Sequence, residues 1–558
     1  MDKPLLEPGV IYTKPEIAEL ILDIIGYTPD KKLWEFSLLD PSYGEGVFLE
    51  VAVQRLLLSL ENHSVDINNT NTLKHLSQSI KGFEINDRRY TIGKINVTSI
   101  LEHTLSTKYI ESIISHWFIK DDYLLYQKQD LQRFDFIVGN PPYVRQELIE
   151  KNLLDIYRNN YSTMTGRADL YIPFIQKSLE LLKLNGQLGF ICADRFTRNQ
   201  YGREIRNYIY KFFNMRFYID LNEAKVFGDD VSAYPAVFII ENTPVKNTTI
   251  KAISAKDITD QTINGIKDFF LNDNQLESKS IKYFTFKEWF KGDSPWVISS
   301  EITLDLLKKL ESKYYSLEHS QHNIKVGIGV ATGADRIYII NPNTINIEKE
   351  ILVPLLKTKD IRSGKIEWSG NYVINPFKEN GELIDLEDYP KLKTYIHNNK
   401  ESILNRSIAK KNPNRWFRTI DRIHSNLVSQ PKLLIPDIKN KNLIVEDTGK
   451  FYPHHNLYYV LPGNWDIKLL QAFLSSSISK FFVQAYSTKM RGGYIRYQAQ
   501  YLRKICLPNL NEISPEIIKA LSNTTLENIK ELDYFVAKAY QLSKEELAMI
   551  YSYLDTEE

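Results

Sequence analysis

Residues 38–52 read LLDPSYGEGVFLEVA. Leu38 and Leu39 bring a short apolar strand to Asp40, Gly44 and Gly46 make a turn, and Val47, Phe48, Val51 and Ala52 open the apolar face of a helix. Glycine in such a turn lets the backbone approach a ligand, and the helix start offers N–H groups with no partner inside the helix. The next strand, SIKGFE, ends in Glu84, where an acid in an open α/β sheet binds two ribose hydroxyls. The nicotinamide fingerprint G-x-G-x-x-G is absent, because Leu49 stands at its third glycine, which points away from NAD.

Outward from this unit, helix and strand patterns alternate. PEIAELILDIIG is helical with Pro15 in its first turn, WEFSLLD is a strand, and VFLEVAVQRLLLSL is the helix after the glycine turn. FDFIVG, QLGFICA, RFYIDL and YPAVFIIEN read as strands, and LYIPFIQKSLELLK and REIRNYIYKFF as helices. A polar insertion, Glu61–Ser79, reads as a surface loop with a short helix. The fold class expected is α/β: a Rossmann-like, mostly parallel sheet with helices on both faces, followed by a second, mixed α/β domain. Turn residues near Pro244 suggest a boundary there. The expected division is a first domain over 1–244, a connecting region over 245–320, a second domain over 321–510 and a helical acidic tail over 511–558.

The chain has 558 residues, 43% hydrophobic and 25% charged, which is a globular composition with room for more than one domain. Two cysteines, Cys192 and Cys506, cannot make a disulfide framework or a four-ligand zinc site, and no metal is expected. The first residues, MDKPLLEPGV, lack the pattern of a signal peptide, and no apolar run approaches the roughly 18 residues that span a membrane. A cytoplasmic protein with no membrane partner is expected. The net charge of +1 hides an uneven distribution. Residues 391–450 carry 13 Lys/Arg against 5 Asp/Glu, residues 480–504 carry six Lys/Arg and no acid, and residues 511–558 carry ten acids against four bases. Such basic stretches suit a polyanion partner on one face.

Residues 134–146, FDFIVGNPPYVRQ, end a second strand in a stiff corner. Proline gives no N–H to a ladder, and Pro142 pushes Pro141 to an extended conformation. Asn140 and Tyr143 are thereby fixed where open α/β sheets carry their ligands. One chemistry needs such a corner. An exocyclic amine on a base is a poor nucleophile, because its lone pair is delocalised into the ring. A site that methylates it must accept both amine protons, so that the nitrogen loses planarity. The Asn140 side-chain oxygen and the Pro141 carbonyl are the acceptors expected, the prolines keep both fixed, and Tyr143 offers a π face to a base swung out of the duplex.

With these residues in place the chain resembles the Taq I-type, gamma-class N6-adenine DNA methyltransferases, related to the restriction-modification methylases. The resemblance implies a site-specific enzyme of a restriction-modification or related defence system, with S-adenosyl-L-methionine as cofactor and double-stranded DNA as substrate. GVIYTKPEIAELI resembles the motif that closes over the methionine end of the cofactor, which implies Tyr12, Thr13 and Pro15. DPSYGEGVF resembles the glycine motif, which implies Asp40, Pro41, Gly44, Gly46 and Phe48. Tyr43 replaces the smaller residue more usual there, so a differently lined methionine pocket is expected. Glu84 matches the ribose acid, Asp122 in KDDYLLY the acid near the cofactor adenine, and Leu170 and Phe174 the positions that pack on that adenine. Asn140, Pro141, Pro142 and Tyr143 form the catalytic motif. AKVFGDDVSAYPAVFII makes Phe227 the stacking partner expected opposite Tyr143.

Beyond Gln321, VGIGVATGADRIYII, KIEWSGNYVINPF, YPKLKTYI and RGGYIRYQAQYLRKICLP are similar to stretches of that family's target-recognition domain. The acid-free segment KMRGGYIRYQAQYLRK makes Arg491, Arg496 and Arg503 the DNA contacts expected. Only eleven residues precede Tyr12, so no endonuclease half is expected in this chain, although a separate restriction endonuclease is a possible partner. A monomer is expected. The alternatives are a methyltransferase of the same fold acting on a protein glutamine or an RNA base, and a DNA-recognition subunit with an inactive cofactor fold.

Overall fold

The strand expected before the glycine turn forms as β1 (Leu38–Asp40), with all three residues buried. In the computed structural model, which describes residues 12–67, 69–224, 226, 234–244, 249–439, 443–487 and 495–557, it lies inside a nine-stranded sheet. The others are β2 (Ile80–Phe83), β3 (Phe118–Ile119), β4 (Phe134–Gly139), β5 (Leu182–Ala193), β6 (Asn214–Asp220), β7 (Pro235–Glu241), β8 (Ile250–Ala255) and β9 (Ile281–Phe286). The order is β3-β2-β1-β4-β5-β7-β6-β8-β9. Strands β1 to β5 are mutually parallel, β7 runs antiparallel to both β5 and β6, β8 is parallel to β6, and β9 is antiparallel to β8. The strand order reverses between β1 and β4, where Leu38 pairs with Ile80 on one side and Phe136 on the other. Ligands of doubly wound sheets bind outside the carboxyl ends of the strands at such a switch point. Ile137 and Val138 point to opposite faces and are both fully buried, as in a sheet covered on both sides.

Helix α1 (Pro15–Ile24) starts with proline at its first turn, and α2 (Val47–Asn62) follows the glycine turn. Ile17, Ile21, Phe48, Leu49 and Val53 from these helices share one core with Leu38, Phe136 and Val138. The polar insertion contains α3 (Thr70–Ser79), whose start is capped by the Asn69 side chain accepting from the Asn71 N–H. Helices α4 (Asp87–Leu101), α5 (Thr107–Trp117), α6 (Lys151–Asn160), α7 (Tyr171–Glu180) and α8 (Arg203–Phe212) complete the crossovers as far as β6.

The boundary expected near Pro244 falls inside the sheet. After it come β8, α9 (Asp260–Asn272) and β9, and the first compact unit extends to Glu301. The Pro/Asn/Thr-rich stretch there connects β7 to β8 instead of ending the domain.

The second unit, residues 302–558, is mixed α/β. One antiparallel sheet orders Lys325–Ile328, Leu457–Leu461, Lys432–Pro436 and Val445–Asp447. A second orders Ile339–Ile340, Tyr372–Ile374, Leu352–Leu356 and Tyr452–Pro453. Lys432 and Asp447 form a salt bridge of 2.9 Å whose side chains are 0% and 1% exposed. The acidic tail is part of this unit and not an appendage. Leu532 and Val536 of helix Ile529–Ala539 are fully buried, the Asp533 carboxylate accepts from the Ser477 N–H at 2.7 Å, and the Tyr540 hydroxyl donates to the Cys506 carbonyl at 2.6 Å. Among the described residues no helix is long and apolar enough to cross a membrane.

Candidate active site

The carboxyl ends of β1 and β4 meet at the switch point through two residues that need each other. Gly139 ends β4 with φ +151°, and a Cβ on it would lie 2.8 Å from Asp40 Oδ1. Only glycine fits there. Asp40 Oδ1 accepts from the Ser42 N–H at 3.0 Å, while Oδ2 is buried without a hydrogen-bond partner. Burial, with the Glu84 charge adding to it, pushes the Asp40 carboxyl up to about 8 against the opposing pull of the Ser42 N–H. A buried carboxyl in this state calls for a cationic donor.

Glu84, at the end of β2, accepts from the Gly44 N–H at 3.1 Å with one oxygen and from the Asn86 N–H at 2.8 Å with the other. The glycine turn is thus tied to the neighbouring strand. Gly44 has φ +59°, and an added Cβ would meet nothing within 4 Å, so this turn faces open space. Gly46, at φ +105°, caps α2. The Tyr43 ring goes the other way. It packs edge-on against Phe118 at 5.2 Å, lies beneath Gly93, and donates from its hydroxyl to the Tyr90 carbonyl at 3.2 Å. Tyr43 also lines the cofactor cavity, with its ring anchored in the core.

A cavity of about 270 Å³ runs along these elements. Of the expected cofactor residues, Tyr12, Thr13, Asp40, Pro41, Gly44, Gly46, Phe48, Glu84, Asp122, Leu170 and Phe174 line it; Pro15 does not, and instead starts α1. Asn140 and Pro142 reach the same cavity. At one end the Tyr12 hydroxyl donates to Glu45 Oε1 at 3.1 Å. At the other, Asp122 accepts from the Tyr157 hydroxyl at 2.5 Å and from the Leu124 N–H at 2.8 Å. Phe174 packs on Tyr123 with ring centroids 5.2 Å apart.

Sequence reading missed Tyr157 and Lys177. Lys177 is fully buried on α7 and donates to the carbonyls of Tyr123 and Tyr126, which fixes the loop that presents Asp122. Burial lowers its ammonium to about 8. The available signal was a lysine set among Phe174, Ile175 and Leu179 in a mainly apolar helix.

Asn140 is held at both ends. Its side-chain nitrogen donates to Thr13 Oγ1 at 3.1 Å, and its carbonyl accepts from the Ser42 hydroxyl at 3.2 Å. Tyr143 is half-buried, with its ring 6.1 Å from Tyr171, and burial first, then the nearby Cys192 and Asp194, hold its phenol well above the usual range. Phe227 lies outside the described residues. Asp194 is bonded on both flanks of its segment: the carboxylate accepts from the Asn222 amide at 2.8 Å, and the Asp194 N–H donates to the Tyr234 carbonyl at 2.8 Å.

The expected DNA contacts fare differently. Arg491 lies outside the described residues. Arg496 pairs with Asp437 at 2.5 Å, and Arg503 pairs with Glu318 at 2.5 Å while donating to the Val326 carbonyl at 2.7 Å. Both guanidiniums are engaged within the second unit by acids remote in sequence.

A doubly wound sheet with a glycine turn, a ribose-type acid and an Asn-Pro-Pro-Tyr corner at one switch point defines a nucleoside-cofactor methyltransferase. Comparison with known proteins narrows this. Residues 48–227 match the Eco57I restriction-modification methylase family, and residues 353–507 match the TaqI-like C-terminal specificity domain. The chain is 48% identical over 548 residues to the Type II methyltransferase M.BstVI of Geobacillus stearothermophilus, covering 97% of each. It is 40% identical over 541 residues to the Type II methyltransferase M.PaeR7I of Pseudomonas aeruginosa, covering 96% of this chain and 92% of that one. Among solved structures, the Type IIL restriction-modification enzyme MmeI in complex with DNA shares the fold, with a TM-score of 0.62 at 12% identity over 97% of this chain and 76% of that one. The chain belongs to the DNA methyltransferases of restriction-modification systems. Its cofactor is S-adenosyl-L-methionine, and the cavity fits that group: an orphaned buried carboxylate oxygen on Asp40, open space beside Gly44, and an apolar wall at Phe174.

Proposed function

We propose that this chain methylates the N6 amine of an adenine swung out of double-stranded DNA. The observation that carries the reading is the anchoring of Asn140, one residue beyond β4, between Thr13 and Ser42. S-adenosyl-L-methionine supplies an electrophilic methyl group on a sulfonium. Asp40 would hold the cofactor's ammonium, Glu84 its ribose hydroxyls, and Asp122, Leu170 and Phe174 its adenine. The Asn140 side-chain oxygen and the Pro141 carbonyl accept the two protons of the target amine. These bonds draw the nitrogen out of conjugation and aim its lone pair at the methyl group. Neither acceptor is basic enough to keep a proton, so the one lost on methylation leaves to solvent. Tyr143 stacks on one face of the base and Phe227 on the other.

Residues 12–301 form the catalytic part in this reading and residues 302–557 the part that recognises sequence. A separate endonuclease would cut the same site in unmethylated DNA, and the chain works as a cytoplasmic monomer. The decisive test is nucleoside analysis of duplex DNA after incubation with labelled cofactor. Label in N6-methyladenine is the result expected. Label in a cytosine derivative, in RNA alone or in protein alone would overturn the assignment.

A further inference from the structure

A side-chain cluster in the second unit has no part in methyl transfer. Asp335 follows the VATGA loop, and His454 and His455 lie in the turn between strands Tyr452–Pro453 and Leu457–Leu461. One ligand atom from each of the three lies within 4.8 Å of the others. His454 Nε2 is 2.9 Å from Asp335 Oδ2, and the two imidazole centroids are 4.0 Å apart. Successive side chains of an extended strand point to opposite faces, so it takes this turn to set consecutive rings side by side.

A plain hydrogen bond accounts for His454 and Asp335. It does not account for His455, whose Nδ1 is buried with no hydrogen-bond partner. Nor does it account for Thr332, whose hydroxyl donates to the other Asp335 oxygen at 2.5 Å. A carboxylate oriented from behind, with its second oxygen turned to imidazoles, is the usual support of a metal ligand. The backbone fixes the same parts: the His455 N–H donates to the Val330 carbonyl at 3.1 Å, and the Ala334 N–H to Thr332 Oγ1 at 3.1 Å. The Asp335 side chain is 40% exposed, which leaves a side open for water ligands.

We propose that Asp335, His454 and His455 bind one divalent first-row transition ion of the zinc type, completed by water. Two imidazoles and one carboxylate suit such an ion, whereas magnesium and calcium take oxygen ligands. The ion would clip the loop at 330–335 to the turn at 454–456 within the recognition unit. It is independent of the methyl-transfer reading.

The test uses untagged full-length protein, stripped with chelator and titrated with Co²⁺ alone by visible absorption and with Zn²⁺ by calorimetry. One equivalent of Co²⁺ with ligand-field bands, displaced by Zn²⁺, is expected. Thr332→Val should weaken binding about 10- to 100-fold. His455→Gln should abolish stoichiometric binding while leaving the Asp335–His454 bond, so its metal-free melting temperature matches that of the wild type and Zn²⁺ no longer raises it. Asp335→Asn, which retains hydrogen-bonding capacity, must also lose the ion. Wild-type protein that takes up no stoichiometric Co²⁺, or His455→Gln and Asp335→Asn variants that bind it as tightly as wild type, would overturn the site.

Discussion

Asn140 Nδ2 donates to Thr13 Oγ1 across 3.1 Å, joining the corner after β4 to the segment that leads into α1. The bond spends the amide nitrogen on positioning and turns the amide oxygen to its role as acceptor. Asn140→Ala should lower kcat on the order of 10²–10³-fold while cofactor affinity changes little, the usual loss when one preorganised partner of developing charge is removed. Thr13→Val should cost about 1 kcal/mol, or roughly fivefold in kcat. Thr13→Ser keeps the hydroxyl and should recover most of it. Steady-state kinetics at saturating cofactor, with cofactor binding measured separately, checks the split. An Asn140→Ala enzyme that lost cofactor affinity but kept its turnover would show the roles to be misassigned.

The Asp40 carboxyl gives a pH signature. Burial, with the Glu84 charge, pushes it from 3.8 up to about 8 in the folded protein without cofactor. Between these values the folded state binds one more proton than the unfolded chain. Its contribution to stability is full below about 3.8 and is lost as pH rises through about 8. Asp40→Asn should remove that slope and melt higher than wild type at pH near 8 when both are cofactor-free. Cofactor binding should release a proton below about 8, because an ammonium beside Asp40 favours the carboxylate. Calorimetry at neutral pH in two buffers of different ionisation heat measures this. Wild-type binding without proton release would remove Asp40 from the ammonium site.

Local chemistry was the legible part. The strand, glycine turn and helix around Asp40, the acid ending β2, and the Asn-Pro-Pro-Tyr corner each lie within a dozen residues, where periodicity and turn composition speak directly. Pairings across the chain were not legible. The segment around Arg496 and Arg503 contains no acid, yet Asp437 and Glu318 neutralise both from other elements. Tyr43 sits in a ligand-turn motif, but space under Gly82 and Gly93 draws its ring into the core. The strands β8 and β9 followed a stretch whose turn residues mimic a linker. The metal-type cluster joins residues 119 apart, beyond any spacing rule.

The C-terminal helices are built into the core of the second unit. Val536 and Leu532 are fully buried, and Asp533 holds the Ser477 N–H. Deleting residues 511–558 should therefore unfold or aggregate the second unit. Val536→Ala should cost on the order of 1–3 kcal/mol by removing buried methyl groups, and Tyr540→Phe about 1 kcal/mol through the lost bond to the Cys506 carbonyl. Denaturant melts of the full chain measure both. A truncated chain that remains soluble and melts like the wild type would make the tail an appendage after all.

DNA affinity offers the last prediction. With Arg496 and Arg503 occupied, the phosphate contacts are best sought in the basic stretch 391–450. Not every base there is available. Lys432 is buried against Asp447, Lys393 pairs with Glu387, and Arg406 donates to the carbonyls of Thr332 and Trp416. Lys410, Lys411 and Arg415 are exposed, on helix Ser407–Lys411 and the turn after it, with one Arg415 nitrogen donating to the Gly381 carbonyl at 3.2 Å and the rest of its guanidinium facing outward. Each that meets a phosphate should contribute about one unit to the slope of log affinity against log salt, without sequence preference. The triple alanine variant should thus bind specific and nonspecific duplexes more weakly by the same factor, with a shallower salt dependence and unchanged site choice. Fluorescence anisotropy across a salt series on both duplexes reads this out. If affinity fell only on the specific duplex, these residues would be reading base edges; if neither affinity nor slope moved, the DNA would lie on another face of the unit.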